Sequence, residues 1–464
     1  MQIPIVSGIY ADSGPDFRTS YPVNMMPVPK VQGISEGYLR PHPGIVSNGS
    51  RDGACRGGVN WDGVLYRVMG SQLVRVAEDG TTTAIGSVGG SGDVSFAYSF
   101  DYLAVASGGN LWLYNGLSLT QVTDTDLGVA LDVIWVDGYF MTTDGTSLVV
   151  TELNDPFSVN PLKYGSSEID PDPVKSLLKL RNEVYALNRY TIEVFTNVGG
   201  GNFPFQRVEG AAIPRGCVGT HARALFADGI AFIGSAKDES PSIHIGNNGA
   251  SVRIATNEID TILGEYTEAE LSLARLEARG DKAYRQLYVY LPWHTLVYDV
   301  AATAAIQQPV WFHLSTSLTG SGPWDACSLV WCYNRWNVAR TGQLGYLSDT
   351  VSTHWGEKVA WSFGTPIIYN ESRGAIFHQI ELVALTGRTE FGDDPIIGTQ
   401  YSLDGVTWSQ EKTIKAGKSG ERQKRLVWLQ QGTMQNWRTQ RFIGTSDAHL
   451  SFARLEAQIE PLAF

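Results

Sequence analysis

From residue 56 onward the chain repeats one phrase: an apolar strand, a turn, a second apolar strand, a polar turn and a third strand. GGVNWDGVLYRVMGSQLVRVAEDG (57–80) and VSFAYSFDYLAVASGGNLWLYNG (94–116) are the first two instances. LDVIWVDGYFMTTDGTSLVVTE (131–152), VKSLLKLRNEVYALNRYTIEVFTNVG (174–199), ARALFADGIAFIGSAKDESPSIHIGNNG (222–249) and RQLYVYLPWHTLVYDVA (285–301) follow. Asp-Gly turns recur at 62–63, 79–80, 137–138, 144–145 and 228–229. Asp-Gly suits the type I′ hairpin turn, in which both central residues need positive φ. Units spaced by about 35–50 residues match the blades of a propeller built from four-stranded meanders. The expected fold is all-β: a β-propeller over 56–353, with six blades favoured. A seventh arises if ACSLVWCYNRWNVARTGQLGYLSD (326–349) stands as its own unit. A series of hairpins making β-sandwiches is the competing arrangement; similar unit lengths and sequential order favour the propeller.

Residues 1–55 carry no such phrase and read as an extended or irregular N-terminal arm. ATNEIDTILGEYTEAELSLARLEARG (255–280) breaks the strand pattern with two helix starts, Asn257 with Asp260 and the capping box Thr267 with Glu270. Gly264 and Gly280 are the expected stops of the two helices. Ile259, Ile262 and Leu263 give the first an apolar face, so a short helical insert near 257–279 should pack on the strands and offer a surface to a neighbour. After His354 the character changes to long alternating strands, and 354–464 reads as a separate β-sandwich-like domain.

The composition fits this plan. Charged residues make up 18% of the 464, against 50 Gly, 13 Trp and 20 Tyr. Aromatic anchors and turn formers at that density belong to a β-rich chain and not to a disordered one. A net charge of −12 argues against general DNA binding, which needs clustered cations to release counterions. It is compatible with an acidic wall along which a polyanion slides without sticking. Four cysteines (Cys55, Cys217, Cys327, Cys332) are too few for a disulfide scaffold, and a lone C-x4-C is a weak metal signal. The opening residues lack a signal-peptide pattern, and no stretch has the length of a membrane helix, so a soluble chain made in a reducing cytoplasm is expected.

Few motifs carry chemistry. YSLDGVTWSQ (401–410) is similar to the Asp-box turn of sialidases, S-x-D-x-G-x-T-W, with one residue missing between Asp404 and Gly405. It occurs once, and that turn is structural even where it recurs: the Asp caps a hairpin and the Trp anchors it. On this reading Trp408→Ala costs roughly 3–5 kcal/mol if the indole is buried. AGKSGERQKR (416–425) lacks the glycine that the phosphate-loop pattern needs, since position 412 is Lys. The eight histidines show no metal-binding spacing, Asp170/Asp172 and Asp393/Asp394 lie beside prolines as turn residues, and G-x-S-x-G is absent. No catalytic, cofactor or metal residue is therefore assigned, and no enzyme is expected. One local contrast stands out. Lys412, Lys415, Lys418, Arg422, Lys424, Arg425, Arg438 and Arg441 meet only Glu411 and Glu421 within 411–441. Lys412 to Arg425 form a candidate partner-docking patch; a solvated strand face and a nucleic-acid contact are the other readings.

Longer stretches carry a resemblance. DFRTSYPVNMMPVPK (16–30), SEGYLRPHPGI (35–45), SVRIATNEIDTILGEYTEAEL (251–271), LYVYLPWHTLVYDVAATAAIQQPVWFHL (287–314) and RTQRFIGTSDAHLSFARLEAQIE (438–460) resemble, in order and spacing, the packaged-DNA stabilisation proteins. These are the tail hubs or nozzles of short-tailed bacteriophages. The resemblance implies a propeller subunit in a homo-oligomeric ring of six, beneath the portal and its head-to-tail adaptor. Such a ring extends the DNA channel, helps retain packaged DNA and supports a needle or plug and tailspikes or fibres during ejection. It also implies a virion-tail location after assembly in the host cytoplasm, double-stranded DNA passing without sequence-specific contact, and contact with the cell envelope at the tip. The family brings no catalytic residues. The alternative is a glycan-binding or glycan-cleaving propeller acting as a receptor-binding protein.

Overall fold

The computed structural model describes residues 1–6, 8–11, 17–30, 37–281, 284–371 and 373–462. Asp16, Ser35 and Glu36 of the stretches that carry the resemblance lie outside them. Six consecutive four-stranded antiparallel sheets span 55–87, 95–121, 132–166, 174–207, 223–253 and 275–314. A seventh joins Cys327–Cys332, Arg335–Arg340 and Gly342–Ser348 to the N-terminal strand Gly44–Arg51. The first strand of each sheet neighbours the first strand of the next, and Cys327–Cys332 returns to Cys55–Trp61, closing a ring. The propeller thus has seven blades, and the preference for six is corrected. The seventh was hard to count because its outer strand comes from the other end of the propeller.

Tight turns set this geometry. Asp62-Gly63 and Asp137-Gly138 both have two positive φ values, as a type I′ turn requires, and Tyr333-Asn334 repeats the conformation in blade seven. In blade five the positive pair is Ala227-Asp228, one residue earlier than the Asp-Gly step. Asp79 and Asp144 keep ordinary φ and instead accept amide hydrogen bonds from Thr81 and from Thr146 and Ser147. Apolar clusters then fill the seams between blades, one of them running continuously from blade four to blade six. Trp61, Tyr66, Val68, Leu103 and Val105 lie between blades one and two, and Leu65, Met69, Val74, Val330 and Leu344 between blades one and seven.

Gly44–Arg51 hydrogen-bonds along Gly342–Ser348 and also touches the outer turn of blade one. A Cβ on Gly80 would stand 1.8 Å from the Asn48 carbonyl oxygen, and Gly80 has φ +85°, so only glycine fits that seam.

The helical insert is shorter than expected. Helix α1 is Asn257–Gly264, capped by Thr256, whose hydroxyl accepts the Ile259 amide; α2 is the single turn Glu268–Leu271, with the capping box Thr267/Glu270 in place. Gly280 stops nothing. It lies in the strand Arg275–Asp281, because Leu276 and Ala278 alternate into the core and sheet pairing overrides the helix-forming character of ARLEAR. A third helix, α3 (Val300–Ile306), interrupts blade six, capped by Asp299. The surface on α1 meets this chain's own arm: the Thr19 amide donates to Glu258 at 3.0 Å and Tyr21 hydrogen-bonds Thr256.

The C-terminal residues form two packed sheets. One orders Ala360–Gly364, Trp437–Thr445, Ile396–Ser402 and Lys412–Lys415. The other orders Leu426–Leu429, Ala375–Leu385, Ser451–Pro461, Gly37–Pro41 and Met25–Pro29, with Gln2–Ile3 also on Ser451–Pro461. Trp361, Phe363, Phe377, Trp428, Phe442 and Phe452 fill the space between the sheets. The described residues of the first 55 are therefore no irregular arm: they supply strands to the sandwich and close the propeller. Asn24, at φ +55°, ties the two together. Its side chain donates to Ser315 and Ala360 carbonyls, both at 2.7 Å, and accepts the Ser315 amide.

Candidate functional site

The tunnel down a propeller is a common place for a site, and here ion pairs cross it. Asp132, on the inner strand of blade three, is fully buried; Arg223 of blade five reaches both its oxygens at 2.8–2.9 Å. Between them, blade four contributes the Ser176 hydroxyl and the Leu177 amide, each 2.8 Å from Asp132. Burial pushes the Asp132 carboxyl up, but Arg223 and these donors override it and hold the group below its usual range. Arg275 of blade six contacts Asp93, just before blade two, at 3.3 Å, and Glu277 at the same distance. Glu277 in turn accepts the Ser328 and Leu329 amides of blade seven. These contacts stitch non-adjacent blades, so the tunnel is a polar core and not a conduit for a nucleic-acid duplex. The signal was present in the sequence as charged residues opening apolar strands, Asp132 in DVIWV and Arg223 in RALF, but their partners are far away along the chain.

Removing one member strands the other in a dry site. Arg223→Met should cost about 3–5 kcal/mol, read from urea unfolding, while Asp132→Asn with Arg223→Met should recover a large part of it.

On the side of the Asp62-Gly63 turn the propeller carries a funnel of about 740 Å³. Trp61, Phe96, Tyr98, Phe100 and Trp135 line it, and Lys179 lies 4.8 Å over the Trp135 ring. Phe100, at 95% relative exposure, is a bare aromatic at its rim.

All six cations of the candidate docking patch are exposed and lie around one edge of the sandwich. They are not equivalent. Lys415 pairs with Asp394 at 2.6 Å, Arg425 grips Glu381 with two bonds of 2.8 and 2.5 Å, and Lys412 donates to the Gln430 carbonyl. The side chains of Lys418, Arg422 and Lys424 make no hydrogen bond or ion pair among the described residues. The Lys415 hydrogen bond, with the charges of Lys415, Lys418 and Lys424, holds the Asp394 carboxyl below its usual range. The other two cations of the basic run lie on opposite faces of the strand Trp437–Thr445. Arg438 is fully buried between the rings of Phe377 and Tyr401, each 4.1 Å away, and burial pushes its guanidinium down to about 10. Arg441 lies 4.0 Å over the Trp408 ring.

The Asp-box-like turn is built as a turn. Asp404 accepts the Val406 and Thr407 amides and the Ser402 and Thr407 hydroxyls, and Gly405 takes φ +75°. Trp408, however, is only half-buried against Arg441. Trp408→Ala should therefore cost about 1–2 kcal/mol in thermal or urea unfolding, less than a fully buried indole would.

Among the described residues no group of three or more His, Cys, Asp or Glu side chains could hold a metal ion. No helix among the described residues is long and apolar enough to cross a membrane.

A seven-bladed propeller whose centre is crossed by ion pairs, carrying a sandwich that shares its N-terminal strands, defines the architecture of the chain. Residues 1–352 match the family model described as bacteriophage P22 Gp10, beta-propeller, and residues 360–460 match the companion model, bacteriophage P22 Gp10, beta-sandwich. The chain belongs to the P22 Gp10 family. The tail hub protein gp10 of Salmonella phage P22 is 27% identical over 467 residues, spanning 96% of this chain and 95% of that protein. Among solved structures, the Pan2 WD40 domain of Neurospora crassa aligns with a TM-score of 0.43 at 9% identity, over 66% of this chain and 95% of that one. PorZ of Porphyromonas gingivalis aligns at 0.40 and 10% identity, over 79% of this chain and 45% of that one.

Proposed function

We propose that this chain is a structural subunit of a phage tail hub, present in the virion tail, and that copies of it form a ring of six beneath the head-to-tail adaptor. The observation that carries the reading is the match to a tail hub protein along both domains, at 27% identity over nearly the whole of each chain. The ion pairs that cross the propeller centre support one detail: DNA travels between subunits, down the axis of the assembled ring, and not through any propeller. A rigid disc with short, protected strand edges suits the wall of such a tube, and cyclic rings close through heterologous contacts. The net charge of −12 suits a wall that duplex DNA passes without adhering. In this reading the ring helps retain packaged DNA and holds a needle or plug and spikes or fibres until ejection.

The exposed cations of the sandwich edge are proposed as a docking contact for an acidic neighbour. Lys418→Glu, Arg422→Glu and Lys424→Glu together should leave the melting temperature within a degree or two of wild type and abolish assembly onto the adaptor. Electron microscopy of the mixture checks this. Intact rings from the triple variant would remove the docking role; loss of a steeply salt-dependent DNA affinity would turn it into a DNA contact. Trimeric spikes in place of rings, or reducing ends released from a polysaccharide panel, would overturn the hub reading.

A further inference from the structure

The seam between blades one and seven holds two cysteines with no role in the reading above. Cys55 and Cys327 each open the inner strand of their blade, and those two strands are neighbours. In each case the register slips just after the cysteine, between Cys55 and Gly57 and between Cys327 and Val330, and Ser328 takes φ +61°. Such bulges re-aim side chains, and here the two thiols meet. The Cys327 thiol donates to the Cys55 carbonyl oxygen at 3.7 Å. Arg67 spans the seam, with one nitrogen 3.7 Å from Cys55 Sγ and another donating to the Ser328 carbonyl at 3.0 Å. Cys55 and Cys327 are half-buried as residues, whereas Cys217 and Cys332 are buried.

We propose that Cys55 and Cys327 are an oxidisable dithiol that a small-molecule disulfide, such as oxidised glutathione, converts into a disulfide locking the closure of the propeller. In a reducing compartment the pair stays open. The Cys327 thiol, together with the Arg67 and Arg275 guanidiniums, outweighs burial and pushes the Cys55 thiol down to about 6, so Cys55 is the attacking thiolate. It bonds to one glutathione sulfur and expels the other as a thiolate, leaving a mixed disulfide on Cys55. Cys327 is held protonated by the hydrogen bond it donates and by burial. Once the Cys55 charge is gone it loses its proton to solvent, attacks the Cys55 sulfur and expels the second glutathione thiolate. Two protein thiols are oxidised and one glutathione disulfide is reduced to two thiols. The new bond joins residues 272 apart in sequence, across the seam that the strand Gly44–Arg51 also closes.

The test uses the intact chain with oxidised glutathione under native, mildly alkaline conditions, followed by alkylation and peptide mapping. The expected product has lost two hydrogens, contains a Cys55–Cys327 cross-linked peptide and melts several degrees higher, all reversed by dithiothreitol. Cys217→Ser with Cys332→Ser should behave like wild type, while Cys55→Ser should give no cross-link. Mapping of the wild-type chain alone decides the matter if a variant misfolds. Stable glutathione adducts without a cross-link, an unchanged thiol count, or a cross-link through Cys217 or Cys332 would each overturn the proposal.

Discussion

Deletion of residues 1–51 is expected to leave no folded monomer, read as loss of soluble protein and of a cooperative thermal transition. The deleted segment is the outer strand of blade seven and three strands of the sandwich sheet, including Met25, Met26 and Leu39, all almost fully buried. It also carries Asn24 and His42, which hydrogen-bond into the propeller and sandwich. Burying one such aliphatic side chain is worth about 1.5–3 kcal/mol, so the lost contacts exceed the roughly 5–15 kcal/mol by which domains are normally stable. The control is a deletion of residues 1–6, which removes the two-residue pairing with Ser451–Pro461 and the buried Ile3 and Ile5; it should lower the melting temperature clearly while leaving a cooperative transition. A cooperative transition near the wild-type temperature after the long deletion would mean that the arm is a passenger.

The second large effect is a loss of stability in acid. His244, His313 and His354 are packed among other side chains, and burial holds each imidazole down to about 4. In the unfolded chain each titrates near 6.5. The folded values are the lower ones, so the unfolded chain binds more protons as the pH falls. The stabilisation is complete above 6.5 and is lost progressively as the pH drops through the window down to about 4. At pH 5 each histidine contributes about 2 kcal/mol of that loss, or about 6 for the three. Asp132, whose carboxyl is held low by Arg223, keeps its contribution through this window and loses it only below the ordinary carboxylate value near 4. Asp260 and Asp299, raised by burial, work the other way and offset a part. Urea midpoints measured from neutrality down to about pH 5 should fall steadily, and His354→Gln should flatten the slope. A flat profile would show that these imidazoles reach water in the native state.

What could be read from the sequence was what is local. Asp62-Gly63 and Asp137-Gly138 state their turn type in two residues, and the blade phrase repeats within about 50 residues. What escaped depends on distance. Nothing in GIVSNGSR reveals that its partner is Gly342–Ser348, because a strand edge carries no address beyond its pattern. Direction escaped as well. Counting cations from Lys412 to Arg441 treats all as surface charge, yet the period-two alternation of Trp437–Thr445 turns Arg438, Gln440 and Phe442 into the core. The end of α2 was misplaced for a related reason: ARLEAR favours a helix taken alone, and only the neighbouring strand Tyr284–Tyr290 makes it a sheet.

The shared N-terminal strands also set a timetable. A ribosome releases Gly44–Arg51 long before Gly342–Ser348 exists, and Gln2–Ile3 waits for Ser451–Pro461 at the far end of the chain. Until then the early strands have unpaired edges, and both domains are completed by contacts of very high sequence separation, which form slowly. A chain truncated during synthesis can complete neither the sandwich nor its junction with the propeller. Only full-length chains would then present finished surfaces to their neighbours, so quality control over assembly is written into the strand order itself.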